Sequence, residues 1–260
     1  VCSPTNTHLE YINFLKQSQI NYLVEKPIIK DDQIKKIDFN NFKKSKISEI
    51  VGYQLRFNKI LLKTKKLLVS KPIGKIRFIK ISVHSFLPNW RKSKLSKSPS
   101  LSKWKGGGVL LELSHEIDYM LWIFGKPKFL QAVIDKNNYF RKNIDERVTV
   151  FFYYQDKTIQ MDMSLNSRFE QREIILEGTN GSLCADILNK KITLSKSNIR
   201  KVIFKSNQSN SDMLKDQINF LLKSINSNKK INNIKHSFEI IKIISLIRKS
   251  NIKLRKIKLS

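Results

Sequence analysis

Residues 129–205 constrain the fold most, because they read as a succession of short strand-forming runs. Seven runs follow one another, at 129–135, 147–155, 158–165, 173–177, 182–187, 192–195 and 202–205. Polar turns such as Gln155-Asp156-Lys157 and Thr179-Asn180-Gly181 separate them. Runs of this length joined by tight turns are hairpins, so they predict an antiparallel sheet that must bury one face.

The first part of the chain has a different rhythm. Residues 7–19 repeat Leu9, Ile12 and Leu15 at helical period, and 20–24 form a short apolar run that enters Glu25-Lys26-Pro27. Asp31 and Asp32 stand where an N-cap and a first-turn acid belong, predicting a helix through Phe42, and 47–57 reads as a second strand. Helix and strand thus alternate over 1–57, as in a parallel α/β sheet. Beyond it come a helix at 60–69, broken by Pro72 and Gly74, a long strand at 76–86 and a polar segment at 91–105. Two amphipathic helices close the chain, one carrying Leu214, Ile218, Leu221 and Leu222, the other Phe238, Ile241, Ile244 and Ile247. The pattern along the chain is thus α/β over 1–57 and, further on, an antiparallel sheet with helices before and after it.

A formal charge of +29 raises the possibility of a nucleic-acid partner. The make-up of that charge argues against a specific one. Of 50 basic residues 40 are Lys and 10 are Arg, scattered through every segment, whereas the planar fork of Arg is what base and phosphate recognition favours. Cys2 and Cys184 are the only cysteines, with neither disulfide nor metal spacing, so no metal is expected and a reducing cytoplasm is. No apolar run approaches the ~18 residues of a membrane span.

Two segments carry chemistry. Gly106-Gly107-Gly108 opens a predicted helix that Gly125 ends with a left-handed cap. At about 100° per residue, Glu112, His115, Asp118, Tyr119 and Trp122 fall on one side and Leu110, Leu113, Ile117, Met120 and Phe124 on the other. Carboxylates beside His115 would raise its pKa and orient its ring for proton transfer near neutral pH; the alternative is a polar stripe facing water. The second segment is Glu25-Lys26-Pro27. Ligands of open α/β sheets bind beyond the carboxyl ends of the strands, which places Lys26 at a ligand, with a cis bond among the options for Pro27. A surface turn is the alternative there. His8, His84 and His236 read as structural or surface residues.

Taken together, Ser3-Pro4-Thr5-Asn6-Thr7-His8 ahead of a helix, Val24-Glu25-Lys26-Pro27, residues 51–58 (Val-Gly-Tyr-Gln-Leu-Arg-Phe-Asn) and the 106–125 segment resemble the Gfo/Idh/MocA oxidoreductases in order and approximate spacing. The resemblance extends through Gly178-Thr179-Asn180-Gly181-Ser182 to the last helices. It implies the fold class α/β and α+β, with an incomplete Rossmann domain at 1–57, a domain with a large, mostly antiparallel sheet at 58–260 and the active site between them, NAD or NADP as cofactor, and hydride transfer between that cofactor and a hydroxyl-bearing carbon of a sugar-type substrate. Lys26 and His115 would be catalytic. Pro4, Thr5, Asn6, His8, Glu25 and Lys26 would lie on the cofactor side, and Arg56, Asn58, Trp90, Arg91, Glu112 and Asp118 on the substrate side. Glu-Leu-Ser-His-Glu-Ile-Asp-Tyr, from Glu112 to Tyr119, resembles a branch associated with surface-polysaccharide sugars. A homo-oligomer through the sheet domain is also implied.

Two features depart from the family. Its members often carry an Asp four residues before the histidine, where this chain has Glu112 three before His115. The family also begins with a strand, Gly-x-Gly-x-x-Gly and a helix whose amides hold the cofactor pyrophosphate, and none of the 260 residues forms that motif. The expectation is a truncated oxidoreductase, inactive alone, with 20–24 and 51–57 short of sheet neighbours and exposing apolar surface. Two alternatives remain: a non-catalytic sugar-binding or oligomerisation module, and a basic nucleic-acid-associated protein.

Overall fold

A computed structural model describes residues 1–260 except 43–45, 91–97, 136–138, 141–142, 228–229 and 260, with only the backbone of Asn40 and Asn41. Helix α1 (His8–Gln17) precedes β1 (Tyr22–Val24), which pairs in parallel with β2 (Glu49–Val51), Leu23 facing Ile50. Val24, Ile50 and Val51 are buried, because α1 lays Ile12 on one side and the start of α7 (Ile234–Lys253) closes the other. There Asn233 accepts a hydrogen bond from Val51 N at 2.8 Å and donates one to Val51 O at 3.2 Å. The strands are therefore not the exposed surface expected of them; the exposed apolar side chains here are Tyr11 and Phe14 of α1 and Ile20 after it.

Two elements differ from the sequence expectation. Residues 31–42 form two short 3-10 helices, Asp31–Lys36 and Phe39–Phe42, with Lys30 rather than an aspartate at the cap position. The Asp31 carboxylate is occupied elsewhere, taking two bonds from Arg248 Nη1 of α7 at 2.8 and 2.9 Å, so it cannot nucleate a longer helix. The strand expected at 47–57 stops at Val51. Tyr53 turns the chain (φ −81°, ψ 71°) into a 3-10 helix, Gln54–Phe57, and Asn58 then caps α2 (Lys59–Ser70), accepting from Ile60 N at 3.0 Å and Leu61 N at 3.2 Å.

The remainder is organised by one nine-stranded sheet of order β10-β9-β8-β7-β3-β6-β5-β4-β11. Its strands are β3 (Ile76–Phe86), β4 (Phe129–Ile134), β5 (Arg147–Tyr153), β6 (Thr158–Ser164), β7 (Asn166–Gly178), β8 (Gly181–Asp186), β9 (Lys191–Lys196), β10 (Ile199–Lys205) and β11 (Ile257–Lys258). Only β3 and β6 pair in parallel; the other pairings are antiparallel. Each of the seven expected runs is a strand. The fourth is longer than its apolar pattern, because polar Asn166–Arg172 continues along the end of β3.

Alternation sends Ile79, Ile81 and Val83 of β3, Met161 and Met163 of β6, and Val148, Val150 and Phe152 of β5 into the core. Each such burial contributes roughly 1.5–3 kcal/mol before chain entropy is counted. Helix α7 lies on β4, where Ser250 Oγ accepts from Ala132 N at 3.1 Å. Among the described residues no helix is long and apolar enough to cross a membrane, and no group of His, Cys, Asp and Glu is arranged to hold a metal.

Candidate functional site

The glycine triplet works as expected, but the helix after it is not continuous. Gly106 and Gly108 take φ of +88° and +110°, and a Cβ at Gly107 would overlap the carbonyls of Pro99 and Ser100, so only glycine fits this crossing. The chain then makes a single turn, α4 (Val109–Glu112), breaks at Leu113 (φ −99°, ψ 28°) and resumes as α5 (Ser114–Phe124). Asp145 anchors the first turn, its carbonyl accepting from Val109 N at 2.6 Å and its carboxylate from Leu110 N at 2.9 Å. Gly125 does have positive φ (78°), but its ψ of −169° lies outside the left-handed helical region. The break undoes the two-faced reading: every residue from Ser114 to Met120 is buried, so no polar stripe faces water.

Helix α5 brings His115 to a cavity of about 360 Å³ whose walls include Lys26, His84, Trp90, Glu112, Gln171 and Arg172. Lys26 follows β1, and the peptide between it and Pro27 is cis. Its Nζ donates to the Glu112 carbonyl at 2.6 Å and lies 3.9 Å from Glu112 Oε2. On the other side of Lys26 and Glu112 is a cavity of about 340 Å³, lined by Pro4, Thr5, His8, Glu25 and Gly106 among others. Lys26 and Glu112 form the partition between the two.

His8 has little freedom in its wall, since Nε2 lies 2.8 Å from Ser3 O and Nδ1 3.0 Å from Pro27 O. Asn6, whose Oδ1 is buried without a hydrogen-bond partner among the described residues, sits next to Thr5 in the same loop.

The electrostatics of His115 are opposite to the expectation. Its pKa is well below the ordinary 6.5, first because the ring is buried and then because Lys26 and Arg172 repel its positive form. Neither neighbouring carboxylate supports the imidazolium. Glu112 is turned toward Lys26, and Asp118 is held elsewhere: it accepts from Arg56 Nε at 3.0 and 3.1 Å and from Arg56 Nη2 at 2.7 Å, and lies 2.9 Å from His236 Nε2. His115 Nδ1 is buried with no hydrogen-bond partner among the described residues.

The residues expected on the substrate side therefore divide. Trp90 and Glu112 line the larger cavity with His115; Arg56 and Asp118 do not, being locked into an ion pair that ties the turn after β2 to α5 and α7. Asn58 caps α2 and lines a neighbouring cavity of about 370 Å³. Arg91 lies outside the described residues.

The sequence reading missed Gln171 and Arg172. Arg172 Nε donates to Glu116 Oε1 at 2.7 Å, and Glu116 is wholly buried. Burial opposes the charge of Arg172, but Glu116 more than offsets this and its pKa is raised. The available signal was its scarcity, an Arg in a chain with a fourfold excess of Lys.

Residues 61–184 match the GFO/IDH/MocA C-terminal domain. Over these residues the chain is similar to the Gfo/Idh/MocA family. Among its relatives is Oxidoreductase P35 of Formosa agariphila, 23% identical over a match covering 76% of this chain and 62% of that protein. The chain thus spans less than two thirds of that relative. Levoglucosan dehydrogenase in complex with NADH shares the fold with a TM-score of 0.86 at 14% identity, over 99% of this chain and 78% of that one. Aldose-aldose oxidoreductase from Caulobacter crescentus, complexed with glycerol, gives 0.82 at 14% identity over 99% and 77%. This chain shares its fold with both solved structures.

Proposed function

We propose that this chain carries the sugar-oxidising site of an NAD(P)-dependent oxidoreductase, with residues 1–57 contributing the cofactor side and 58–260 the substrate side. The observation that carries the reading is that Lys26 borders two cavities, one holding His115 and the other Pro4, Thr5 and Glu25. The close approach of Gly106 to Thr5, next to an Asn6 Oδ1 that has no partner among the described residues, suits the nicotinamide end of a dinucleotide. Its pyrophosphate end needs a glycine-rich loop that these 260 residues do not contain. When bound, the cofactor supplies the acceptor for a hydride from the hydroxyl-bearing carbon.

The protein's share of the chemistry follows from two groups. The Lys26 ammonium, steadied by the Glu112 carbonyl, donates a hydrogen bond to the substrate oxygen and stabilises negative charge developing there. His115, kept neutral by burial and by its two cationic neighbours, accepts the hydroxyl proton as the carbon–hydrogen bond breaks. The substrate is a sugar or sugar derivative, of the kind built into surface polysaccharides if the resemblance of the 112–119 segment carries over. A second copy is proposed against the open face of the sheet, where Val133 of β4 and Phe151 of β5 are exposed.

Steady-state oxidation of aldoses and their derivatives with NAD or NADP tests the reading. Lys26→Ala is expected to lower turnover by ~10²-fold or more, the loss typical of one oxyanion-stabilising donor; unchanged turnover removes Lys26 from the mechanism. A second reading is that the site binds sugar without redox chemistry, with Lys26 held by the Glu112 carbonyl as a hydrogen-bond donor only. Saturable sugar binding with no NADH binding under any condition would select it.

A further inference from the structure

The cavity containing His115 does not end at its own wall. Arg172, in β7, and Leu188, after β8, border both it and the neighbouring cavity of about 370 Å³. In that second space Asn58 and Gln208 are engaged within the protein. Asn58 caps α2, while Gln208 accepts from Lys59 N at 2.9 Å and donates to Phe57 O at 3.0 Å and Asp216 Oδ2 at 3.2 Å.

Arg172 is different. One edge of its guanidinium is fixed by Glu116 through Nε, its side chain is 28% exposed, and Nη1 and Nη2 make no hydrogen bond to a described residue. The acids facing the first cavity do not compete for it, since Glu112 is turned to Lys26 and Glu170 lies exposed at the mouth. A preset, half-occupied guanidinium offers two parallel donors, which suit the two oxygens of an oxyanion better than a neutral hydroxyl.

We infer that Arg172 recognises an anionic substituent of the substrate, a carboxylate or a phosphate, seated where the two cavities meet. The substrate is then an acidic or phosphorylated sugar, not a neutral one. The inference takes its substrate side from the roles proposed above for Lys26 and His115.

Calorimetric titration of the full chain with D-glucose, D-glucuronate and D-glucose 6-phosphate, alongside NADH, tests it. One of the two anions is expected to bind at least about tenfold more tightly than glucose, as one added charge-assisted bond allows, and which one does so identifies the oxyanion. Arg172→Lys should reduce that preference. The pair Glu116→Gln with Arg172→Gln, which removes both buried charges together and so avoids stranding one of them, should abolish it. Equal affinity for all three sugars, binding of none, or a preference that survives the double substitution overturns the inference. A chain that binds NADH but does not distinguish glucose from the anions loses this inference and keeps the hydride-transfer reading. One that prefers an anion but binds no NADH keeps the inference and loses that reading.

Discussion

Substituting His115 by glutamine should change how stability depends on pH, by an amount the environment of the ring fixes. In the folded chain burial, then Lys26 and Arg172, hold the imidazole pKa well below 6.5. The unfolded chain protonates near the ordinary value of about 6.5. Because the folded pKa is the lower one, the unfolded state binds the extra proton, and stability falls as pH drops from about 6.5 toward the folded pKa. From about pH 7.5 to about pH 5.5 the unfolded-state binding polynomial rises from about 1.1 to about 11, and with the folded ring staying neutral the cost is on the order of 1 kcal/mol. Glutamine does not titrate, so His115→Gln should lose less stability than the parent over this interval, by an amount on the order of 1 kcal/mol, whatever its stability at either end. Urea unfolding of both proteins at the two pH values measures the difference, and shared carboxylate effects cancel. Equal losses would mean that the ring is not held neutral, and the proton-accepting role would fall with it.

Other substitutions test the assignments that the structure changed. Asn58→Ala should cost about 1 kcal/mol of unfolding free energy through the lost cap of α2 and leave sugar binding untouched; a loss of binding with unchanged stability would return Asn58 to the substrate. Arg56→Ala should cost about 3 kcal/mol, the lower end for breaking a buried pair, because Asp118 is wholly buried while Arg56 is 23% exposed. A cost under about 1 kcal/mol in chemical denaturation would show that the pair does not tie the turn after β2 to α5.

The sheet was legible because each strand must bury alternate residues, and that demand is written locally, as in Ile79, Ile81 and Val83. Lys26 and His115 were legible through motifs at the ends of regular elements. What escaped depends on partners distant in sequence. The break at Leu113 has no Gly or Pro to announce it and coincides with the anchoring of Val109 and Leu110 by Asp145. Asp118 looked like a neighbour of His115 on a helical wheel, yet its carboxylate is claimed by Arg56 and His236, one from each side of the chain. Arg172 sits in the polar half of β7, where a 2-residue period carries no signal because neither face reads as apolar.

The claim on which the account rests is that Lys26 and His115 act on one sugar hydroxyl. A crystal structure of the chain with a sugar shown in solution to saturate it measures this directly. The account predicts one substrate oxygen within hydrogen-bond reach, about 2.6–3.2 Å, of both Lys26 Nζ and a ring nitrogen of His115. A sugar bound elsewhere, or bound in this cavity with its hydroxyls out of reach of either group, would contradict it.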